Sequence, residues 1–214
     1  MKPAAVIFDC DGVVVDSEPL AFDLLAVDLA SHGLTMTSHQ LETELLGGTM
    51  HDAFKKARGL GADLPDTWVE GFYEKLYAKL ALGTPLIPGI EAVLDALDAA
   101  AVPYAMGSNG SPRKMEITMG QHKGLLARFH GRTFSGQAMG RPKPAPDLYL
   151  HCAAIMGVDP ETCTVIEDSP TGARAAAAAG MRCFGYAPHG SRLLAAAGAI
   201  LFTSMTELPG LLDL

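Results

Sequence analysis

Short apolar runs alternate with longer amphipathic stretches along most of this chain. The runs Ala4–Phe8, Pro103–Gly107, Thr133–Ser135, Cys163–Ile166, Arg182–Tyr186 and Ala199–Phe202 read as strands. Between them Glu91–Ala100, Pro112–Gly120, Pro146–Met156, Thr171–Ala179 and Ser191–Ala197 read as helices. Such alternation is the pattern of a parallel sheet covered by helices on both faces. Ser111-Pro112 and Ser169-Pro170 each supply an N-cap serine followed by proline at the first helical position. Gly180 follows an alanine run, where a helix end favours glycine.

The first strand breaks this alternation. From Ser17 to Gly83 no strand pattern appears. Leu20, Leu24, Leu25, Val27 and Leu29 predict an amphipathic helix that stops at Gly33. Trp68, Phe72, Leu76 and Leu80 recur every four residues and read as a packing stripe, with Thr67 and Glu70 spaced as a capping box. His51, Lys55 and Lys56 read as a solvated helix face. The segment Thr84–Gly89 returns to the sheet. The fold class is therefore α/β: a Rossmann-like parallel sheet with helices on both faces plus a helical cap inserted after the first strand. Residues 1–16 and 85–214 form the core domain and 17–84 the cap. Ligands bind at the carboxyl ends of such strands, so the cap is expected to act as a lid.

Composition narrows the class. The 214 residues are 49% hydrophobic and 19% charged, which fits a packed globular protein. A net charge of −8 argues against a nucleic-acid surface. An anionic ligand has to be met locally. Cys10, Cys152, Cys163 and Cys183 form no CxxC pair and read as small core residues of a reduced, cytoplasmic protein. No apolar stretch is long enough for a signal peptide or a membrane span.

Candidate chemistry sits where strands end. The first strand runs into Asp9, with Asp11 two residues on and Gly12 after it. A carboxylate is costly to desolvate, so two at one strand end imply a cation, a protonated member, or both. An acidic turn closed by Gly12 is the plain alternative. Ser108-Asn109-Gly110 follows the second strand and suits a phosphate oxygen, though it is also an ordinary turn. Lys143 stands among Pro142, Pro144 and Pro146, which define its backbone. Glu167 and Asp168 end another strand just before a capped helix. Together these predict a metal-assisted phosphoryl-transfer site. Asp9 holds a nucleophile's position and Asp11 can give and take a proton. Lys143 and the Ser108 loop hold a phosphate, and Asp168 completes the shell of a Mg²⁺ ion.

The segments FDCDGVVVDSE, GSNG, GRPKPAPDLYL and VIEDSPTGARAAAAAG, in this order, resemble the haloacid dehalogenase superfamily. The inserted helices resemble the small cap of the group that contains beta-phosphoglucomutase and phosphoglycolate phosphatase. The resemblance implies Asp9 as nucleophile and Asp11 as general acid/base, with Asp9, the Asp11 backbone carbonyl and Asp168 on Mg²⁺. It also implies Ser108, Asn109 and Lys143 on the phosphate, and Glu167 as a metal or neighbouring carboxylate. Dehalogenases of the superfamily lack the second aspartate, so Asp11 favours phosphate chemistry. The mutases' cap histidine and arginine fall on Ala21 and Met50, which disfavours a mutase. Ser108-Asn109-Gly110 with Lys114-Met115 and Met119-Gly120 is similar to bacterial 6-phosphogluconate phosphatases. The expected activity is Mg²⁺-dependent hydrolysis of a small phosphorylated metabolite, a sugar or sugar-acid monophosphate, by a monomer or homodimer with no nucleic-acid or membrane partner. A phosphomutase and a catalytically idle binding protein are the alternatives.

Overall fold

The computed structural model describes residues 2–37, 40–45 and 50–214. The chain divides into two compact units, Met1–Asp16 with Pro85–Leu214, and Ser17–Thr84.

The larger unit is built on six parallel strands: β1 (Ala5–Phe8), β2 (Tyr104–Ser108), β3 (Thr133–Ser135), β4 (Cys163–Glu167), β5 (Arg182–Tyr186) and β6 (Ile200–Phe202). Their order across the sheet is β3-β2-β1-β4-β5-β6. Strand β1 is central and its side chains alternate between two cores, as the period of a strand requires. Val6 and Phe8 pack with Ile90, Leu94, Met115 and Phe129 on one face. Ala5 and Ile7 pack with Tyr149, Cys152, Ala173 and Ala176 on the other. The chain steps from β1 to β2 on one side and later to β4 on the other. The carboxyl ends of β1 and β4 therefore flank the point where strand order reverses, the usual ligand crevice of such sheets.

Helices of this unit follow the predicted spans within a residue or two. Ser111 caps Pro112–Gly120 by accepting from Lys114 N, and Ser169 caps Pro170–Ala178 by accepting from Gly172 N. Gly180 takes a positive φ of 72° after the latter helix. The helices Leu125–Arg128 and Leu208–Leu211 were not expected. Each is a single turn, too short to leave a periodic pattern. All four cysteines are buried free thiols.

The helical unit holds α1 (Glu18–Ser31), α2 (Met50–Gly59) and α3 (Trp68–Ala81). Two local expectations fail there. Thr67 makes no side-chain cap bond, because its backbone (φ −88°, ψ 9°) is not extended. Instead Trp68 N bonds to Pro65 O, so a backbone turn starts the helix. Val27 is 70% exposed, and the buried stripe of α1 runs through Leu25, Asp28 and Leu29. Asp28 is buried because Trp68 Nε1 donates to its Oδ2 at 2.6 Å and Lys75 pairs with its Oδ1. Trp68 stacks between Phe54 and Phe72, as a packing residue should. His51, Lys55 and Lys56 are exposed on α2.

Among the described residues no helix is long and apolar enough to cross a membrane. Replacing Asp28 by Ala strips the Trp68 indole N–H of its partner. We expect a loss of about 1–3 kcal/mol, the cost of orphaning a buried donor. Urea unfolding followed through Trp68, the chain's single tryptophan, reads this directly. An unchanged midpoint would show the contact to be incidental.

Candidate active site

Register brings the first and last motifs together. Phe8 pairs with Ile166 across β1 and β4, and Asp9 N donates to Ile166 O at 2.9 Å. Asp9 and Glu167 thus leave the sheet side by side. Strand β2 pairs with β1 on its other side, Phe8 opposite Met106, which places Ser108 at the same rim.

Lys143 closes this arrangement from the loop before the helix Asp147–Met156. Its Nζ lies 2.5 Å from Asp9 Oδ1 and 2.7 Å from Glu167 Oε1. The lysine side chain is 3% exposed. A buried ammonium is tolerable only with such partners. Its backbone is held as firmly. Lys143 N donates to Asn109 Oδ1 at 2.8 Å, and Asn109 Nδ2 donates back to Lys143 O at 3.2 Å. The close approach requires Gly136, where a Cβ would sit 2.7 Å from Asn109 Oδ1.

Glu167 is saturated. Oε1 accepts from Lys143 and from Tyr149 Oη at 2.8 Å. Oε2 accepts from Asp168 N, Ser169 N and Ser169 Oγ. It lies over the first turn of Pro170–Ala178, and a Cβ on Gly172 would fall 1.6 Å from Oε1. Tyr149 also presents its ring face to Lys143, 4.8 Å from the centroid. Sequence reasoning missed Tyr149 and Gly172. A tyrosine on the buried stripe of a helix was the available signal, since a buried hydroxyl needs a partner.

Asp11 and Asp168 make separate contacts around the loop that follows β1. Asp11 Oδ1 pairs with Lys114 Nζ at 2.8 Å. The Asp168 carboxylate lies against Gly12, where a Cβ would be 1.9 Å from Oδ2, and Gly12 has φ +74°. Ser108 Oγ accepts from Gly110 N at 2.9 Å, which leaves the hydroxyl its own proton to donate.

The electrostatics follow from burial and pairing. Burial pushes the Asp9 carboxyl up to about 7 against the pull of Lys143, with Glu167 and Asp11 adding to the rise. Burial would also raise Glu167, but the Lys143 charge and the donors around it hold that carboxyl below its ordinary range. Burial disfavours the Lys143 ammonium, yet Asp9 and Glu167 keep it above the usual lysine range. Burial drives the Cys10 thiol well above its usual value, with the charges of Asp11 and Asp9 adding to the rise.

These groups can hold a hard cation. Among the described residues no three His, Cys, Asp or Glu side chains gather around one point. Asp9 and Asp168 offer two carboxylates beside the backbone of the Asp9–Gly12 loop, and every donor is oxygen. That suits an ion that takes one or two carboxylates and completes its shell with water and phosphate, as Mg²⁺ does.

A family model for haloacid dehalogenase-like hydrolases matches residues 3–180. The chain belongs to that family. The 6-phosphogluconate phosphatase of Escherichia coli is 30% identical over 210 residues, which span 97% of this chain and 93% of that protein. Among solved structures, a conserved haloacid dehalogenase-like protein from Agrobacterium tumefaciens is 29% identical, with a TM-score of 0.86 over 98% of this chain and 97% of that one. A haloacid dehalogenase family hydrolase from Deinococcus radiodurans with bound phosphate and sodium is 31% identical, with a TM-score of 0.81 over 98% and 95%.

Within the family fold, the side chains of two candidate site residues have partners inside the protein. Glu167, expected at the metal, spends both oxygens on Lys143, Tyr149 and the following helix. Asn109, whose backbone is expected beside the phosphate, bonds the Lys143 backbone through its side-chain amide. Two substitutions probe this geometry. Gly12→Ala forces a methyl into the Asp168 carboxylate at a positive φ, and we expect turnover to fall about 10²-fold, as a displacement of about 1 Å at a reacting centre does. Tyr149→Phe removes a hydrogen bond to a buried charge and should cost about 1.5–3 kcal/mol in denaturant unfolding. Wild-type turnover for the first, or wild-type stability for the second, would refute the role assigned.

Proposed function

We propose that this phosphoric monoester hydrolase uses Mg²⁺ to hydrolyse a sugar or sugar-acid monophosphate through a phosphate ester of Asp9. The observation that carries the reading is the Asp9–Lys143 contact. It joins residues 134 apart in sequence and fixes an ammonium on the carboxylate that ends the central strand. The names of similar proteins agree in substrate class. Relatives near 30% identity include a 6-phosphogluconate phosphatase, a probable pseudouridine-5'-phosphatase and a phosphoglycolate phosphatase.

In this reading an oxygen of Asp9 attacks phosphorus and the bond from phosphorus to the sugar oxygen breaks. Asp11 gives that oxygen a proton, so the sugar leaves as a neutral alcohol. Water then attacks the phosphorus of the acyl phosphate. Its proton returns to Asp11, and Asp9 is restored as inorganic phosphate departs. Lys143 holds positive charge beside the transferring group, and Ser108 Oγ–H and the Asn109 backbone N–H orient its oxygens. Asp9, the Asp11 carbonyl and Asp168 would hold Mg²⁺, which offsets negative charge on phosphate and carboxylates. Glu167 and the Asn109 side chain keep Lys143 in place.

The test is phosphate release by purified protein with Mg²⁺ over a panel of sugar and sugar-acid phosphates. Hydrolysis of at least one ester, its loss on chelation, and a fall of about 10³-fold or more in Asp9→Asn are expected for a nucleophile in a concerted site. No hydrolysis of any ester, or full activity in Asp9→Asn, would end the reading.

A further inference from the structure

A second ammonium stands at the site. Lys114 Nζ is 2.8 Å from Asp11 Oδ1, and the two side chains are only 17% and 19% exposed. Lys114 is the third residue of the helix Pro112–Gly120, whose N-cap Ser111 accepts from its backbone N–H at 3.1 Å. Local helix physics disfavours a lysine there. The first turn prefers acidic side chains, which complement the helix dipole, and the third position is where a capping box places Glu. This helix has no acidic residue in its first turn. A residue that contradicts its local setting while ion-paired in a crevice marks a functional position.

The two lysines serve different carboxylates. Lys143 is enclosed between Asp9 and Glu167 and lies under the transferring phosphate. Lys114 lies at Asp11, the residue that hands a proton to the departing oxygen. Whatever binds beside Asp11 faces the leaving group. An ammonium carries three N–H donors, so the bond to Asp11 leaves it capacity for a further acceptor. In a chain of net charge −8, a cation at this point selects for negative charge on the departing molecule.

We propose that Lys114 is a specificity-determining residue that binds a carboxylate of the leaving group, so that phosphorylated sugar acids are preferred over the matching neutral alcohols. The inference rests on the phosphatase reading above and deepens it.

Matched esters that differ only in a carboxylate test it. These are 6-phosphogluconate against glucitol 6-phosphate, and phosphoglycolate against 2-hydroxyethyl phosphate. The wild type should favour the acid of at least one pair by about tenfold or more in kcat/KM, the worth of one charge-assisted contact. Lys114→Met keeps the aliphatic stem and removes the charge. It should raise KM for the acid about tenfold while KM for the alcohol moves by less than about threefold, and Lys114→Arg should restore part of the preference. An unchanged circular dichroism spectrum and thermal transition show that the variant is folded. An equal loss on both members would make Lys114 a positioning residue for Asp11 and overturn the proposal. So would a wild type without preference, or a preference that survives Lys114→Met. If the wild type hydrolyses no ester of the wider panel, the parent reading falls and this inference with it; hydrolysis of other esters but of neither pair overturns this inference alone.

Discussion

The ammonium of Lys143, enclosed between Asp9 and Glu167, is the constraint around which the active rim is arranged. Removing one member of a buried ion pair typically costs about 3–5 kcal/mol, because the remaining charge is left without water or partner. The three residues come from the end of β1, the loop before the helix Asp147–Met156, and the end of β4. None can shift alone. Features that look unrelated in sequence become supports of this contact. Asn109 pins the lysine backbone, Tyr149 supplies a hydroxyl and a ring face, and Ser169 and two backbone N–H groups hold the far oxygen of Glu167. A buried polar network is stabilising only when all its members are satisfied. Among the described residues no buried side-chain polar atom lacks a partner.

The scaffold makes this placement possible by keeping backbones close. Parallel register sets Asp9 beside Glu167 without any help from their side chains. Gly12, Gly136 and Gly172 then admit carboxylate and amide groups at distances a methyl would forbid. The helix Pro170–Ala178 packs through Ala173, Ala175 and Ala176, which let it lie close against β4 and β5. Its start is thereby brought to the Glu167 carboxylate, which accepts from the N–H groups of Asp168 and Ser169 just before the helix. Packing and electrostatics are one arrangement here.

Much of this was legible in the chain because periodicity and punctuation are local. Six apolar runs gave six strands, and the Ser-Pro pairs at 111 and 169 marked helix starts that the serines do cap. What was not legible depends on partners remote in sequence. Two partners of Glu167, Lys143 and Tyr149, lie on another loop and another helix, so nothing near it announced its support of Lys143. The role of the Asn109 side chain was hidden because its bond to residue 143 spans 34 positions. Asp28 sat on an apparently apolar helix face, and its reason for burial is Trp68, 40 residues away. The capping box at Thr67 failed for the converse reason. The side chains were correctly spaced, but the backbone entered the helix through a turn from Pro65.

The charge balance of the rim connects these details to its chemistry. Four carboxylates, Asp9, Asp11, Glu167 and Asp168, gather near two ammoniums, Lys143 and Lys114. The excess is negative, and its effect is concentrated where water is least available. Asp9 is the member whose carboxyl is pushed up to about 7, by burial first and by the charges of Glu167 and Asp11 after it, against the pull of Lys143. A dianionic phosphate entering such a rim would be repelled unless further positive charge came with it. In the proposed reading that counter-charge enters on the Asp9–Asp168 side, where the carboxylate oxygens are not already taken up as those of Glu167 are. Oxygen donors there suit a hard divalent ion. Glu167 contributes through Lys143. It neutralises Lys143 enough to bury it and keeps the ammonium aimed at Asp9, so the carboxylate that ends β1 can face both a cation and a phosphate.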